Sequence, residues 1–355
     1  MMTEEIGHIR PRNLEAFIVK AFMHHGLSED HANSVAHTMI VANLRGVDTH
    51  GVVRSGSYIE RFKLNLVKPQ PAFKVETRYG WAHAIDADNG MGPVVSDFAM
   101  KKVLDSAESH GIGGATVRQS NHFGAAQVFA LQAAAQDCIG IVLSPASKSL
   151  APFGSMEPLF GTNPIAVAAP AGRHAPWCLD MATSISARGH IRIAARRGEP
   201  IPEGWALDDQ GRPTTDAEAA LKGVMLPFAG PKGSALAMLV DMMGGALSGS
   251  GYAGTIRDMT RDFETPQDVG HFFMAFKIDA FMPVPEYTAR MEHMIATLKA
   301  LKPAAGFDEV MYPGEREARL AAKREAEGIP IPFETRKVLV QLSEETGIAL
   351  PEGLN

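Results

Sequence analysis

The chain has 355 residues, of which 45% are hydrophobic and 21% are charged, and its formal net charge is −6. This length predicts about two domains with a sizeable core, and the composition excludes a disordered chain. The negative charge provides no basic field for nucleic acid or for an anionic membrane surface, so neither partner is expected.

Residues 1–72 predict a small helical unit. Apolar residues recur at helical spacing over residues 12–25. Ser28 is a suitable N-cap for a second helix that should run to about Arg45. A third helical stretch is predicted over residues 51–64.

Residues 73–300 predict an α/β core, because short apolar runs alternate with helical segments. The predicted buried strands lie at residues 115–117, 139–143, 165–169 and 177–179, and the predicted helices at residues 91–110, 124–136 and 234–247. Residues 196–216 are rich in Pro and Gly and predict a long polar loop that covers a site or a subunit contact. Residues 301–355 return to helix, over 315–327 and 333–347.

Cysteine usage and hydropathy predict a cytoplasmic protein. Cys138 and Cys178 stand in apolar segments without a CxxC spacing, which favours reduced core thiols over a disulfide framework. The polar N-terminal segment lacks the apolar run of a signal peptide. The longest apolar stretch, residues 235–247, contains Asp241 and is too short to span a bilayer.

A histidine and an arginine stand four residues apart in LRGVDTHGVVR. An enzyme that reduces a keto acid needs a cation for the carboxylate, an acid that protonates the new alkoxide, and a group that orients this acid. On one helix, His50 and Arg54 would share a face, and Arg54 would offer a bidentate fork to a carboxylate. The same spacing also fits a capping histidine beside a salt-bridged arginine.

Four further motifs place polar groups at the ends of predicted elements. His122, in SNHFG, lies in a strand–helix loop where α/β sites collect, although it also fits a turn histidine. Thr162 and Asn163, in FGTNP, form a turn that could bind a ligand or be structural. Asp180, after an apolar run, could orient a histidine or cap a helix. Lys232, at a helix start, could bind a cofactor phosphate or be structural.

Two other patterns are weaker. Residues 249–254 match GxGxxG, but a helix precedes them and no helix clearly follows, so we interpret them as a glycine-rich loop. Asp48, His50, His83 and Asp86 leave a metal-dependent hydrolase as a distant alternative. Without HExxH or a compact Cys/His set, no metal is expected.

Together these motifs resemble the malate/L-lactate dehydrogenase family, which includes ureidoglycolate, sulfolactate and diketogulonate dehydrogenases and Δ1-piperideine-2-carboxylate reductase. The resemblance covers nearly the whole chain in order, through LRGVDTHGVVR, SNHFG, FGTNP, DMATS, PEGWALDDQGRPTTD, PKGSALAMLVDMMGGALSG and YPGE. The chain departs from the family pattern at Thr49, where serine is usual, at His190, where lysine is common, and at Pro231. The change at His190 puts in doubt a cation role there.

The resemblance implies a non-Rossmann α/β fold in which helices from both chain ends form one unit, so residues 301–355 should pack with residues 1–72. It implies a homodimer or larger homo-oligomer with NAD or NADP bound near the subunit interface. The implied reaction is hydride transfer between the nicotinamide and a small 2-keto or 2-hydroxy acid. Reduction of a cyclic imine carboxylate is the alternative within the family.

The resemblance also implies site residues. The residues expected to contact the cofactor or to line the site are His50, His122, Phe123, Gly124, Asp180, Met181, Ala182, Thr183, Ser184, Lys232, Pro313, Gly314 and Glu315. Arg54 is expected to bind the substrate carboxylate, with Thr162 and Asn163 as further substrate contacts. Either His50 or His122 donates the proton, and we favour His50 with Asp180 orienting it.

Overall fold

The computed structural model describes residues 7–354, and its centre is a seven-stranded mixed sheet. In spatial order, the strands are β2 (Lys74–Arg78), β3 (Ala82–Asp86), β4 (Ile112–Ser120), β11 (Val269–Lys277), β5 (Cys138–Leu143), β6 (Ile165–Ala169) and β7 (Trp177–Met181). Within this sheet only β3 and β4 run parallel. A doubly wound dinucleotide-binding sheet is mostly parallel. The predicted non-Rossmann α/β fold is therefore confirmed.

Helices α4 (Gly92–His110) and α5 (Ala126–Ala134) cover one face of the sheet, and their apolar residues form its core with β4, β5 and β11. Gly113 lets α4 lie close to β4, because a Cβ there would be 1.9 Å from the carbonyl oxygen of Val103. Burial of each large side chain such as Phe129 or Phe273 stabilises the fold by roughly 1.5–3 kcal/mol. On the other face, a π-helical turn (Asp241–Ala246) follows α8 (Pro231–Val240) and packs on β11.

Helices from the two chain ends pack together beside the sheet. They are α1 (Pro11–His24), α2 (Glu29–Leu44), α3 (Ser55–Lys63), α10 (Glu315–Glu327) and α11 (Phe333–Thr346). The Ser28 hydroxyl accepts a hydrogen bond from the backbone N–H of His31 at 3.3 Å and caps α2, as predicted. Strands β1 (Gly7–Ile9) and β12 (Ile329–Ile331) pair and join the two ends. The parts of the predicted terminal units at residues 1–6 and 355 lie outside the described residues.

The prediction of one long polar loop over residues 196–216 was wrong. Helix α6 (Arg188–Arg197) enters this segment, and a three-stranded sheet with α7 (Ala217–Lys222) follows it; the strands are β8 (Ala206–Leu207), β9 (Pro213–Thr214) and β10 (Val224–Met225). Ile191, Ile201 and Ala220 belong to the apolar core between this small sheet and helices α6 and α7. These apolar residues are scattered among Pro, Gly and charged residues, so their burial becomes visible only when α6 and α7 pack together.

Three other elements differ from the predictions. The helix predicted from residue 51 begins at Ser55, after two 3-10 turns (Asp48–His50 and Val52–Arg54). The central strand β11 and helix α9 (Val284–Lys299) were not predicted. Residues 249–254 form a loop without regular structure, as predicted.

Candidate active site

A cavity of about 280 Å³, here called the inner cavity, is lined by side chains from several parts of the fold. The turns before α3, the loops after β4 and β5, helix α6 and the loop before β11 all contribute. Its polar lining includes His50, Arg54, His122, Thr162, Arg188 and Asp258. The inner cavity therefore gathers residues that are distant in sequence.

His50 and Arg54 reach the inner cavity from two successive 3-10 turns and not from one α-helix, which corrects the prediction. Gly51 lies between the two turns and packs closely on Asn43. A Cβ at position 51 would lie 2.1 Å from Oδ1 of Asn43. That oxygen accepts a hydrogen bond from the backbone N–H of Val52 at 2.9 Å. Close packing on Asn43 thus breaks the regular helix, yet both side chains still line one cavity.

Asp48 ties this turn to helix α10. Arg324 donates hydrogen bonds to both of its carboxylate oxygens, at 2.7 and 3.0 Å, and the amide of Asn43 donates to Oδ1 at 2.7 Å. The Asp48 carboxylate is therefore engaged in holding the turn. Within residues 7–354, no group of three or more His, Cys, Asp or Glu side chains is arranged to hold a metal ion.

His122 lies beside His50, with ring centroids 5.5 Å apart and ring planes inclined by 23°. Its Nδ1 lies 2.6 Å from the Tyr58 hydroxyl and accepts a hydrogen bond from the backbone N–H of Gly124 at 3.3 Å. Its Nε2 has no hydrogen-bond partner among the described residues. Burial lowers the pKa of His122 well below its usual value of 6.5, and the charges of His50 and Arg54 add to this effect.

The Nδ1 of His50 lies 2.9 Å from the Thr49 hydroxyl. Burial, followed by the positive charge of Arg54, lowers the pKa of His50 to about 4. No hydrogen bond joins His50 to Asp180 in the described part of the chain, and the role of Asp180 in orienting His50 stays a prediction. The Asp180 carboxylate instead accepts a hydrogen bond from the backbone N–H of Gln127 at 3.4 Å.

Arg54 has no carboxylate within 4.0 Å of its guanidinium in residues 7–354. Its Nε donates to the backbone carbonyl of Thr49 at 2.6 Å, which fixes the side chain. Burial is the main cause that lowers the pKa of Arg54, but an arginine remains protonated at any physiological pH. The terminal guanidinium nitrogens can therefore donate to the carboxylate of a ligand.

A second cavity of about 420 Å³, here called the outer cleft, adjoins the inner cavity. Both are lined by His50, Gly124, Thr162 and Pro164. The remaining walls of the outer cleft come from α5, β7 and the turn before α10, and include Gln127, Asp180, Ala182, Pro313, Gly314 and Glu317. A ligand in the outer cleft can thus meet a ligand in the inner cavity beside His50.

Asp180 lines the outer cleft, and Arg45 lies behind its wall, in contact with the lining residue Gln127. Burial raises the pKa of Asp180 to about 6. Arg45 donates from Nε to the side-chain oxygen of Gln127, and its Nη2 is buried without a partner among the described residues. A buried guanidinium nitrogen without a partner is uncommon in folded proteins.

The wall at Gly314 requires a residue without a side chain. Its φ is +88°, and a Cβ there would lie 2.8 Å from Cβ and 3.0 Å from the backbone nitrogen of Cys178. The backbone N–H of Cys178 donates to the carbonyl of Pro313 at 3.0 Å. The turn therefore lies directly against β7, and a larger residue at position 314 would displace it.

Comparison with known proteins identifies the family. A sequence profile of the malate/L-lactate dehydrogenase family matches residues 9–340. The chain belongs to this family. This membership confirms the resemblance of the ordered motifs and makes the chain an oxidoreductase. Dehydrogenases of the malate/L-lactate type imply a nicotinamide cofactor.

Three relatives within the malate/L-lactate dehydrogenase family differ in activity. L-sulfolactate dehydrogenase of Methanocaldococcus jannaschii is 35% identical over 97% of this chain and 98% of its own. Its solved structure has a TM-score of 0.92 and covers 98% of this chain and 100% of its own, at 34% identity. Malate dehydrogenase of Pyrococcus abyssi is 37% identical over 96% of this chain and 94% of its own. Δ1-pyrroline-2-carboxylate reductase 2 of Burkholderia multivorans is 33% identical over 90% of this chain and 92% of its own.

The structure brings most of the predicted site residues of this dehydrogenase to the two cavities. The inner cavity is lined by His50, Arg54, His122, Phe123, Gly124 and Thr162. The outer cleft is lined by Asp180, Ala182, Pro313 and Gly314, as well as by His50, Gly124 and Thr162. Six predicted residues line neither cavity, namely Asn163, Met181, Thr183, Ser184, Lys232 and Glu315.

The surroundings of these six residues explain their position. Asn163 is fully buried; its amide donates to the carbonyl of Ala237 at 2.8 Å and its Oδ1 accepts from the backbone N–H of Ala146 at 3.0 Å. Glu315 forms ion pairs with α9 and α10. Thr183 and Ser184 are buried, Met181 ends β7, and Lys232 is exposed at the start of α8. These contacts give Asn163 and Glu315 structural roles, and their contact with a ligand stays a prediction.

Sequence reasoning missed several residues at the inner cavity, three of them charged. Arg188, Arg192 and Asp258 line it, and Tyr58 contacts His122. Two of them had a detectable signal, because Arg188 and Arg192 are four residues apart in SARGHIR and lie on one face of α6. His190 stands where lysine is common in the family. Its side chain is exposed and lies near Trp205.

Proposed function

We propose that the protein catalyses reversible hydride transfer between a nicotinamide cofactor and C2 of a small 2-keto or 2-hydroxy acid. The observation that carries this proposal is the meeting of Arg54, His50 and His122 in one small cavity that adjoins the outer cleft. Arg54 supplies an unpaired guanidinium for a carboxylate. The two imidazoles supply groups that can exchange a proton with the reacting oxygen.

The outer cleft fits a nicotinamide nucleotide by the chemistry of its polar groups. Asp180 and Glu317 can accept hydrogen bonds from hydroxyl or amide groups, and Arg316 provides positive charge. Gly124 and Gly314 form two parts of the wall that carry no side chain. When bound, the cofactor donates or accepts the hydride. These residues would hold it with one end beside His50.

We propose His122 as the proton donor in reduction, in place of His50. Proton exchange at Nε2 requires a hydrogen on Nδ1 in both the protonated and the neutral ring, and the Tyr58 hydroxyl, 2.6 Å away, can accept from this Nδ1–H in both states, in place of the long contact with Gly124. This contact leaves Nε2 of His122 to exchange the proton with the substrate oxygen. His50 stacks on His122 and would limit its movement.

The depressed histidine pKa values predict opposite pH dependences for the two directions. Oxidation needs a neutral imidazole, so its kcat/KM should be flat near pH 7 and should fall as the pH drops through the lowered pKa of His122. Reduction needs a protonated imidazole, so its kcat/KM should fall about tenfold per pH unit above that pKa. Steady-state rates against pH in both directions test this. An acid limb for oxidation above pH 6.5 would contradict the lowered pKa.

A panel of 2-keto acids with NADH and with NADPH tests the proposed reaction. We expect oxidation of at least one reduced cofactor by a small 2-keto acid and the reverse reaction with the matching 2-hydroxy acid. A cyclic imine carboxylate belongs in the same panel, because a relative is named a pyrroline-2-carboxylate reductase. That substrate would use the same carboxylate contact at Arg54. Turnover of the imine alone would favour this second function.

We also propose that the protein forms a homodimer in the cytoplasm. Several apolar side chains are exposed on α8, the π-helical turn and the loop that follows, namely Met238, Leu239, Met242, Leu247 and Tyr252. Large apolar side chains exposed on consecutive elements fit a subunit interface. Both cysteines are free thiols, which fits a reducing compartment. Light scattering should give twice the monomer mass of 38.1 kDa, and a monomer would refute the dimer.

A further inference from the structure

A buried histidine lies behind the wall of the inner cavity and has no part in the proposed reaction. His271, on β11, is fully buried and lines neither the inner cavity nor the outer cleft. Its Nδ1 lies 2.9 Å from the hydroxyl of Ser144, and its Nε2 lies 2.9 Å from the hydroxyl of Ser120. Ser120 ends β4 and Ser144 follows β5, and the two loops that begin there line the inner cavity. His271 therefore joins the two strand ends from which these loops start.

The ring of His271 also packs flat against Phe123. The two ring centroids are 4.6 Å apart, and the ring planes are inclined by 2°. Phe123 directly follows His122, is buried and lines the inner cavity. It also stacks on Phe129 of α5, with centroids 5.3 Å apart. These two aromatic contacts limit the movement of Phe123 and so of the neighbouring backbone of His122.

The orientation of the His122 ring depends on where this backbone lies. Its Nδ1 is 2.6 Å from the Tyr58 hydroxyl, whereas its Nε2 has no hydrogen-bond partner in residues 7–354. A hydrogen bond weakens steeply as its angle becomes less favourable. A small displacement of the backbone would therefore weaken the Tyr58 contact and turn Nε2 away from the substrate.

The chemistry of His271 gives it one fixed orientation. Burial lowers its pKa to about 3, so the ring is neutral at physiological pH. A neutral imidazole has one donor and one acceptor nitrogen, and each of them meets a serine hydroxyl. An aliphatic side chain of similar size would fill the same space but would bond neither strand end.

We propose that His271 is a positioning residue for the proton donor. By joining the ends of β4 and β5 and by packing on Phe123, it holds the imidazole of His122 in the orientation that leaves Nε2 to the substrate. His271 lines neither cavity, so it acts through Phe123 and not by contact with a ligand. The proposal rests on the proposed function and deepens it at the same site.

The kinetic test replaces His271 by Leu and by Phe. His271→Leu loses both hydrogen bonds and the stacked ring, so kcat for reduction should fall about tenfold to a hundredfold. The KM for the keto acid should change by less than about twofold, because Arg54 comes from the turn before α3. His271→Phe keeps a ring against Phe123 and should retain clearly more of the kcat than His271→Leu.

Both variants should fold, because the serine hydroxyls have other acceptors. The Ser144 hydroxyl lies 3.3 Å from the carbonyl oxygen of Gly270, and the Ser120 hydroxyl lies 3.3 Å from that of Asn121. A wild-type kcat in folded His271→Leu, or a rise in KM as large as the fall in kcat, would overturn the proposal. Equal kcat in the Leu and Phe variants would overturn the route through Phe123.

A further variant tests the same contact with His271 in place. Phe123→Leu removes the stacked partner and keeps both serine contacts, so it should also lower kcat about tenfold with little change in KM. A wild-type kcat in this variant would overturn the proposal even if the His271 variants failed to fold.

His83→Leu is the matched control. His83 lies on β3 of the same sheet, is buried and lines neither cavity. Its ring also meets two hydroxyls, with Nδ1 3.0 Å from that of Thr77 and Nε2 2.8 Å from that of Ser106. The loss of His83 should lower the unfolding temperature and leave kcat unchanged. Equal falls in kcat in His83→Leu and His271→Leu would overturn the proposal in favour of a general loss of stability.

A measurement on the His122 ring separates this proposal from the proposed function. NMR of the ring nitrogens in protein with isotope-labelled histidine requires no turnover, and His122→Asn identifies the His122 signals by their loss. In the wild-type protein the hydrogen should reside on Nδ1, beside the Tyr58 hydroxyl. Signals averaged between the two tautomers in His271→Leu would support the positioning role even if no keto acid were reduced. Unchanged His122 signals in that variant would overturn this role, whatever the enzyme reduces.

Discussion

Replacing Arg54 by Met is expected to lower kcat/KM for every 2-keto acid by about a hundredfold to a thousandfold. Loss of one partner from a partly buried, hydrogen-bonded charge pair raises the free energy of the bound substrate by roughly 3–4 kcal/mol. Because the carboxylate contact exists before and during hydride transfer, most of the effect should appear in KM. Steady-state kinetics with the best keto acid measures it.

Two further variants make this result interpretable. Arg54→Lys keeps the charge but loses the planar fork, so it should restore only part of the activity. Arg336→Met removes an exposed arginine of α11 and should leave the kinetics unchanged. Thermal unfolding should be followed in parallel, since the Nε of Arg54 also bonds the carbonyl of Thr49. An Arg54→Met variant that is folded and kinetically normal would exclude Arg54 from substrate binding.

Replacing His122 by Asn should lower kcat for reduction by about a hundredfold to ten-thousandfold, because a positioned general acid contributes an effect of this size. Asparagine is close in size and can still bond the Tyr58 hydroxyl. The KM should change less than kcat, since binding of the carboxylate depends on Arg54. His50→Asn should be clearly more active than His122→Asn, and the opposite order would make His50 the proton donor.

Tyr58→Phe tests the support of His122 without removing the imidazole. The phenolic oxygen lies 2.6 Å from Nδ1, and its loss destabilises the protonated ring. We expect kcat to fall about tenfold and the pKa in the pH–rate profile to move to a lower value. A fall in kcat with an unshifted profile would indicate only a packing role for Tyr58.

The helices of the chain ends were predictable because their signals are local. The apolar stripe of α1 and the Ser28 cap of α2 depend on residues within one or two turns. Strand β11 was not predictable in this way. It follows β5 by more than a hundred residues in sequence but lies between β4 and β5, and no local pattern specifies such pairing.

Site residues that lie within a short sequence motif could be predicted. Site residues that distant elements bring together could not. His50, Arg54 and His122 were found from two short motifs, yet the break at Gly51 depends on contact with Asn43 from α2. Sequence alone does not show that the Asp180 carboxylate accepts a hydrogen bond from the backbone N–H of Gln127. Arg188 and Arg192 were missed because the packing of α6 brings them to the cavity.

The central claim is a direct hydride transfer to C2 of an acid bound at Arg54. It is tested most directly with a reduced cofactor that carries deuterium at C4 of the nicotinamide, followed by NMR of the isolated product. The account predicts a 2-hydroxy acid with one deuterium at C2 when the matching C4 position is labelled. A product with only solvent hydrogen at C2, whichever C4 position carries the label, would contradict it.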